Sequence, residues 1–221
     1  MPRRFLVLAN NEIYHVFNRS VGKENIFDNR WYLTHSLELI NYYRYPQKIR
    51  YSKFKTLPLE LKDAYFTSFK QCIPLVDIYA FAFMPNHYHL LVKQNEDRGI
   101  YRFLSNFQNS FAKYFNLKNN RHGSVFQNSF KAKRVESDED FMHISRYIHL
   151  NPVTSYIISL EKLSDYPWTS YPFYIEENKN IFINSEYIKE KFKPIKKYIK
   201  FVADQADYQK ELHQIKNLMI D

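Results

Sequence analysis

The chain reads as an α+β protein, an antiparallel-rich sheet with helices packed on it. Runs rich in β-branched and aromatic residues alternate with longer runs of helical periodicity, in the order strand, helix, two strands, helix, strand, helix. Only Pro85-Asn86 interrupts the two middle strands. At 221 residues the chain can bury one domain with an appendage and is too short for two large domains.

Residues 12–19 alternate as a first strand, and 29–45 carry Trp31, Leu37, Ile40 and Tyr43 at the spacing of an amphipathic helix. A basic segment, 46–56, precedes a short helix opening at Pro58. Strands follow at 76–83 and 87–93. Apolar residues at 100, 103, 104, 107, 111, 114 and 115 then mark a long helix over 100–117, with Tyr114 on its core stripe. Residues 122–135 read as a loop and a short strand with basic residues at its end. Ser137-Asp138-Glu139-Asp140 starts a helix with acids in its first turn, and Asn151-Pro152 stops it, giving 138–150. An aromatic loop containing Asp165-Tyr166-Pro167-Trp168 leads to a Lys-rich helical tail from about 185 to 219.

Composition bounds the chemistry. The single cysteine, Cys72, excludes an intrachain disulfide and a Cys-based zinc site. With three glycines there is no Walker loop and no Gly-x-Gly-x-x-Gly, so a nucleotide cofactor is not expected. The apolar run Phe5 to Ala9 is shorter than a secretory signal, and no stretch approaches the roughly 20 apolar residues of a membrane span. A soluble, cytoplasmic protein is the expectation. The 32 Lys and Arg outnumber the 23 Asp and Glu, for a net charge of +9, which favours a polyanionic partner such as nucleic acid. The excess is clustered: Lys48, Arg50, Lys53 and Lys55 form one run, Lys131, Lys133 and Arg134 a second, and the lysines between 189 and 200 a third. Each block suits phosphate contact or a plain solvated face. With 19 Tyr and 19 Phe interleaved among the cations, the mixture suits single-stranded nucleic acid, although most rings belong to the core.

The most informative run is Met84 to Val92, which holds His87 and His89. Side chains two apart on a strand share a face, so the pair aims two imidazoles at one point. That offers two metal ligands, or two ordinary hydrogen-bonded histidines. In the helix 138–150, Phe141, Ile144 and Ile148 form the stripe expected to face the sheet. At about 100° per residue Tyr147 and Asn151 stack at the flank of that stripe, while His149 points elsewhere. Asn86 either contacts DNA or caps the strand turn.

Five motifs in order carry a family resemblance: Phe-Met-Pro-Asn-His-Tyr-His-Leu-Leu-Val (83–92), Tyr-Phe-Asn (114–116), Gly-Ser-Val-Phe-Gln-Asn-Ser-Phe-Lys (123–131), Tyr-Ile-His-Leu-Asn-Pro-Val (147–153) and Asp-Tyr-Pro-Trp-Thr-Ser-Tyr (165–171). They resemble the single-tyrosine HUH transposases, and more narrowly their REP-associated branch, over residues 12 to 174. The resemblance implies a transposase domain over 1–174 with a ferredoxin-like core, and a basic helical extension over 175–221. It implies a DNA strand transferase that nicks and rejoins single-stranded DNA next to a hairpin through a covalent 5′-phosphotyrosine. Tyr147 is then the nucleophile, and His87 and His89 bind Mg²⁺ or Mn²⁺. Asn151, where insertion-sequence members have Gln, is a third ligand, binding directly or through water, or an orienting group. The basic residues Arg50, Lys53, Lys131, Lys133 and Arg134, with Asn86, are the candidate DNA contacts.

That chemistry asks for these residue types. Tyrosine ionises near pH 10, so attack at neutral pH needs electrophilic help at the phosphate. The tyrosyl ester conserves the phosphodiester energy, so rejoining needs no ATP. A second reading is a non-catalytic, domesticated binder of DNA or RNA hairpins; a third is a zinc hydrolase, for which no His-Glu-x-x-His helix is present. Within the family, insertion-sequence members exchange helices between two subunits and the REP-associated branch acts as a monomer, so monomer and homodimer both stand.

Overall fold

The computed structural model describes residues 7–175 and 182–210. Its elements are β1 (Ile13–Arg19), α1 (Arg30–Tyr43), α2 (Tyr51–Lys55), α3 (Leu59–Lys70), β2 (Val76–Met84), β3 (His87–Gln94), α4 (Gly99–Lys118), β4 (Lys131–Arg134), α5 (Asp138–Thr154), α6 (Tyr171–Ile175), α7 (Glu186–Lys191) and α8 (Lys196–Ala203). The strands form one sheet in the order β2-β3-β1-β4. β1 and β4 pair antiparallel, with Tyr14 opposite Arg134 and Phe17 opposite Lys131. β2 and β3 are joined by the tight turn at Pro85-Asn86. Hydrogen bonds from Ser20 N to Asn86 O (2.8 Å) and from Gln94 N to Glu12 O (3.0 Å) run β3 antiparallel to β1. With helices between β1 and β2 and between β3 and β4, this is the ferredoxin-like order.

The chain forms two compact units. One comprises Met1–Asp77, Pro85–His87 and Val92–Arg134, the other Ile78–Met84, Tyr88–Leu91 and Val135–Asp221.

In the first unit α1 packs on α4. Asn29 caps α1, its Oδ1 accepting a hydrogen bond from Tyr32 N at 3.0 Å. The buried face runs through Leu33, Ser36, Leu39, Ile40 and Tyr43. At about 100° per residue that face turns position 31 outward, so Trp31 is 79% exposed and departs from the expected core stripe. α4 buries Ile100, Phe103, Leu104, Phe107, Phe111 and Phe115, each worth roughly 1.5–3 kcal/mol. Tyr114 is the exception to the predicted stripe: it is half-buried, its ring 4.1 Å from that of His35. Gly99 starts α4 where any Cβ would press into the Leu75 carbonyl oxygen. Inside the basic segment 46–56 a short helix, α2, forms because Tyr51 and Phe54 are buried.

In the second unit α5 is capped by Ser137, whose Oγ accepts from Asp140 N at 3.0 Å. Its Phe141 meets Tyr79 of β2 edge-on, ring centroids 5.0 Å apart. The helix does not stop at Asn151-Pro152 as expected; it runs on to Thr154. Proline removes only one donor, Val153 and Thr154 are buried, and Thr154 Oγ1 and Ser155 N both satisfy the Asn151 carbonyl. Tyr156, at φ 57°, then turns the chain away. β2 lies at the end of the sheet order, where short bridges, Ala82 with Thr169 and Ile78 with Ile183, occupy its backbone. The tail is helical in α7 and α8, and the expected helix over 211–219 lies outside the described residues.

α8 supports α5 from behind through a buried polar group. His149 is fully buried, its Nε2 2.7 Å from Ser170 Oγ and its Nδ1 2.8 Å from the Tyr198 hydroxyl of α8. Burial pushes this imidazole down to about 3, so it is neutral. Arg146 adds a guanidinium 4.0 Å over the Phe201 ring and a hydrogen bond to the Phe201 carbonyl at 3.2 Å.

Candidate histidine and tyrosine site

His87 and His89 begin β3 and, two apart, project from one face of it. The turn that launches the strand is pinned at three points: Pro85 O accepts from Ile26 N and Phe27 N, and Asn86 O accepts from Ser20 N. The Asn86 side chain is also engaged. Its Oδ1 lies 2.6 Å from His87 Nδ1 and its Nδ2 donates to Lys23 O at 3.3 Å. An amide oxygen only accepts, so His87 Nδ1 carries the proton and the ring's lone pair lies on Nε2. Of the two roles open to Asn86, the turn and its histidine have the observed bonds.

On α5, Tyr147 is 39% exposed, with its ring set edge-on to His89, 5.6 Å between centroids at 87°. Asn151 follows one turn later and is buried; its Nδ2 donates to the Tyr147 carbonyl at 3.0 Å. The amide nitrogen is therefore spent on its own helix, and Oδ1 is the atom of that side chain with acceptor capacity. The second unit thus gathers His89, Tyr147 and Asn151 by packing α5 against β3, and β3 carries His87 two residues before His89. His149, turned to the opposite side of α5, takes no part.

The basic residues divide. The β1–β3 register sets Arg19 opposite His87, and the β1–β4 register sets Lys133 opposite His15 and Lys131 opposite Phe17. Alternation along the strands places Arg19, His87, Lys131 and Lys133 on one sheet face. Arg134 projects from the other face and forks onto Glu12, with Nη2 to Oε1 at 2.7 Å and Nε to Oε2 at 3.0 Å. It is not gathered with the two lysines. Arg19 escaped the sequence reading because only strand register puts it beside His87. Buried His15 is held down to about 4 by desolvation, assisted by the charge of Lys133. Lys53 lies in α2 and Arg50 is the extended residue that precedes it, so neither belongs to the sheet. Among the described residues no three His, Cys, Asp or Glu side chains gather as metal ligands. No helix among them is long and apolar enough to cross a membrane.

The sequence model of the IS200-like transposases matches residues 39–151, just over half the chain and inclusive of the histidine pair, Tyr147 and Asn151. The chain belongs to the IS200-like transposase family. The fold is shared with a REP-associated tyrosine transposase solved bound to a REP hairpin. The two are 14% identical with a TM-score of 0.54, over 82% of this chain and 89% of the other. No curated protein sequence matches the chain.

Proposed function

We propose that this transposase-family chain is a metal-dependent DNA strand transferase that nicks and rejoins single-stranded DNA beside a hairpin, with Tyr147 as nucleophile. The observation that carries the reading is the placement of Tyr147: half open to solvent, edge-on to His89, with the Asn151 amide one turn away. Attack of the phenol oxygen on a backbone phosphorus forms the 5′-phosphotyrosyl ester and breaks the bond to the 3′-oxygen, which leaves with the proton as a 3′-hydroxyl. The reverse attack by a 3′-hydroxyl restores the phosphodiester and frees Tyr147.

The donor set fits a hard or borderline divalent ion, Mg²⁺ or Mn²⁺: imidazoles of His87 and His89, with the Asn151 carbonyl oxygen as third donor. Asn86 fits the same role by directing the His87 lone pair to Nε2. When bound, such an ion supplies Lewis-acid polarisation of the phosphate and charge stabilisation at the leaving oxygen. Arg19, Lys131 and Lys133 on the histidine face bind the phosphates of the approaching strand. Support for DNA as substrate comes from the transposase family, and for a hairpin from the one carried by the solved REP-associated structure.

The test is a denaturing gel with labelled single-stranded hairpin oligonucleotides from sequence flanking the gene, in Mn²⁺ or Mg²⁺. Label is expected to stay on the protein after denaturation, and to be lost with Tyr147→Phe and with His87→Ala. An adduct that survives Tyr147→Phe overturns the assignment. Hairpins that bind without metal and never form an adduct favour a non-catalytic binder.

A further inference from the structure

The first unit contains a cleft of about 840 Å³ between α1, α2 and α4 that the tyrosine chemistry does not use. Its volume falls in the range of roughly 300–1,000 Å³ that encloses one small ligand. Three features set its chemistry. Aromatic faces line it: Trp31, exposed on the first turn of α1, and the Tyr114 and His35 rings packed 4.1 Å apart. Amides line it too, with Asn106 and Asn109 one turn apart on α4; Asn109 Nδ2 donates to Ser105 Oγ at 3.3 Å, so its Oδ1 is the acceptor it turns to the cleft, while Asn106 offers an amide donor and acceptor. Its charge is positive in balance. Glu38 is neutralised by Lys55 at 3.2 Å, while Arg50 and Lys113 have no ion pair among the described residues.

We propose that this cleft holds one unpaired nucleotide of the DNA, its base against Trp31 and Tyr114, its edge on the α4 amides and its phosphate on Arg50 and Lys113. Stacking faces beside cations and edge-reading amides are what an unstacked base requires, whereas a duplex keeps its bases stacked and offers no single base to a cleft. The proposal rests on the reading of the chain as a transferase of single-stranded DNA. It adds a contact that fixes which unpaired position is held while Tyr147 acts.

The test walks an abasic residue through the unpaired positions flanking a hairpin oligonucleotide. Affinity is measured by anisotropy with the full chain carrying Tyr147→Phe to keep the DNA uncut. At one position, loss of the base is expected to cost about tenfold or more. Trp31→Ala and Asn106→Ala, both at exposed positions that leave folding intact, are expected to weaken intact DNA similarly and to remove most of the abasic penalty there. Equal penalties at every position in all three proteins overturn the proposal. The covalent adduct is scored on the same oligonucleotides with Tyr147 restored. Adduct without the coupled penalty overturns the cleft alone, and the coupled penalty without adduct overturns the transferase reading while the cleft stands. Failure to bind any DNA overturns both. The same coupling found with RNA and not with DNA overturns the choice of nucleic acid.

Discussion

A histidine is a directed electron-pair donor only when its other ring nitrogen is committed, and at His87 the preceding residue makes that commitment. Asn86 is held by its backbone to Ser20 and by its Nδ2 to Lys23, so its Oδ1 is a fixed acceptor for His87 Nδ1. Removing such an orienting group from a metal-binding histidine typically costs about 10- to 100-fold in affinity. Asn86→Ala is therefore expected to raise the Mn²⁺ concentration for half-maximal adduct by about that factor, with yield recovered at saturating metal. Direct Mn²⁺ binding followed by electron paramagnetic resonance checks it without reference to turnover. An unchanged metal titration would place Asn86 with the DNA contacts instead.

At the scale of elements, α5 carries Tyr147, the proposed nucleophile, on one side and is gripped on the other. Tyr198 of α8 and Ser170 bracket His149, so the tail helix and the segment before α6 fix the seat of Tyr147 and Asn151. Tyr198→Phe leaves one buried imidazole nitrogen without its hydroxyl, at a cost of about 1–3 kcal/mol. The expected result is loss of amide protection across α5 and α8 by that amount, with α1 and α4 unchanged. These elements also show what the sequence could convey. The His87–His89 and Tyr147–Asn151 pairs were legible because each follows from the spacing of one strand or one helix. Arg19 beside His87 and the aromatic cleft were not, because strand register and the seat of α2 against α1 and α4 decide them. Trp31 departs from the expected stripe because an apolar residue within a helical run need not face the core; its neighbours Leu33, Ser36 and Ile40 set the buried face. Pro152 was read as a stop because the rule concerns its missing donor, and burial of Val153 and Thr154 outweighed that loss.

Over the whole molecule, each compact unit holds a buried imidazole pushed below its ordinary range, His15 at about 4 in the first and His149 at about 3 in the second. The ordinary value is 6.5, so between pH 6.5 and the folded-state values the unfolded chain binds protons that the folded chain does not. Stability from these groups is complete above pH 6.5 and falls as acid is added, by about 1.4 kcal/mol per pH unit in each unit. The loss ends near pH 4 for His15 and near pH 3 for His149. Hydrogen exchange corrected for intrinsic rates separates the units, with α1 and α4 reporting on one and α5 and α8 on the other. From pH 6.5 to 5 each is expected to lose about 2 kcal/mol. His15→Gln is expected to flatten that dependence in α1 and α4 alone, and His149→Gln in α5 and α8 alone, each at some cost in stability at neutral pH. If neither substitution changes the slope of its own unit, acid lability arises from the repulsion of a chain already at +9 rather than from its buried histidines.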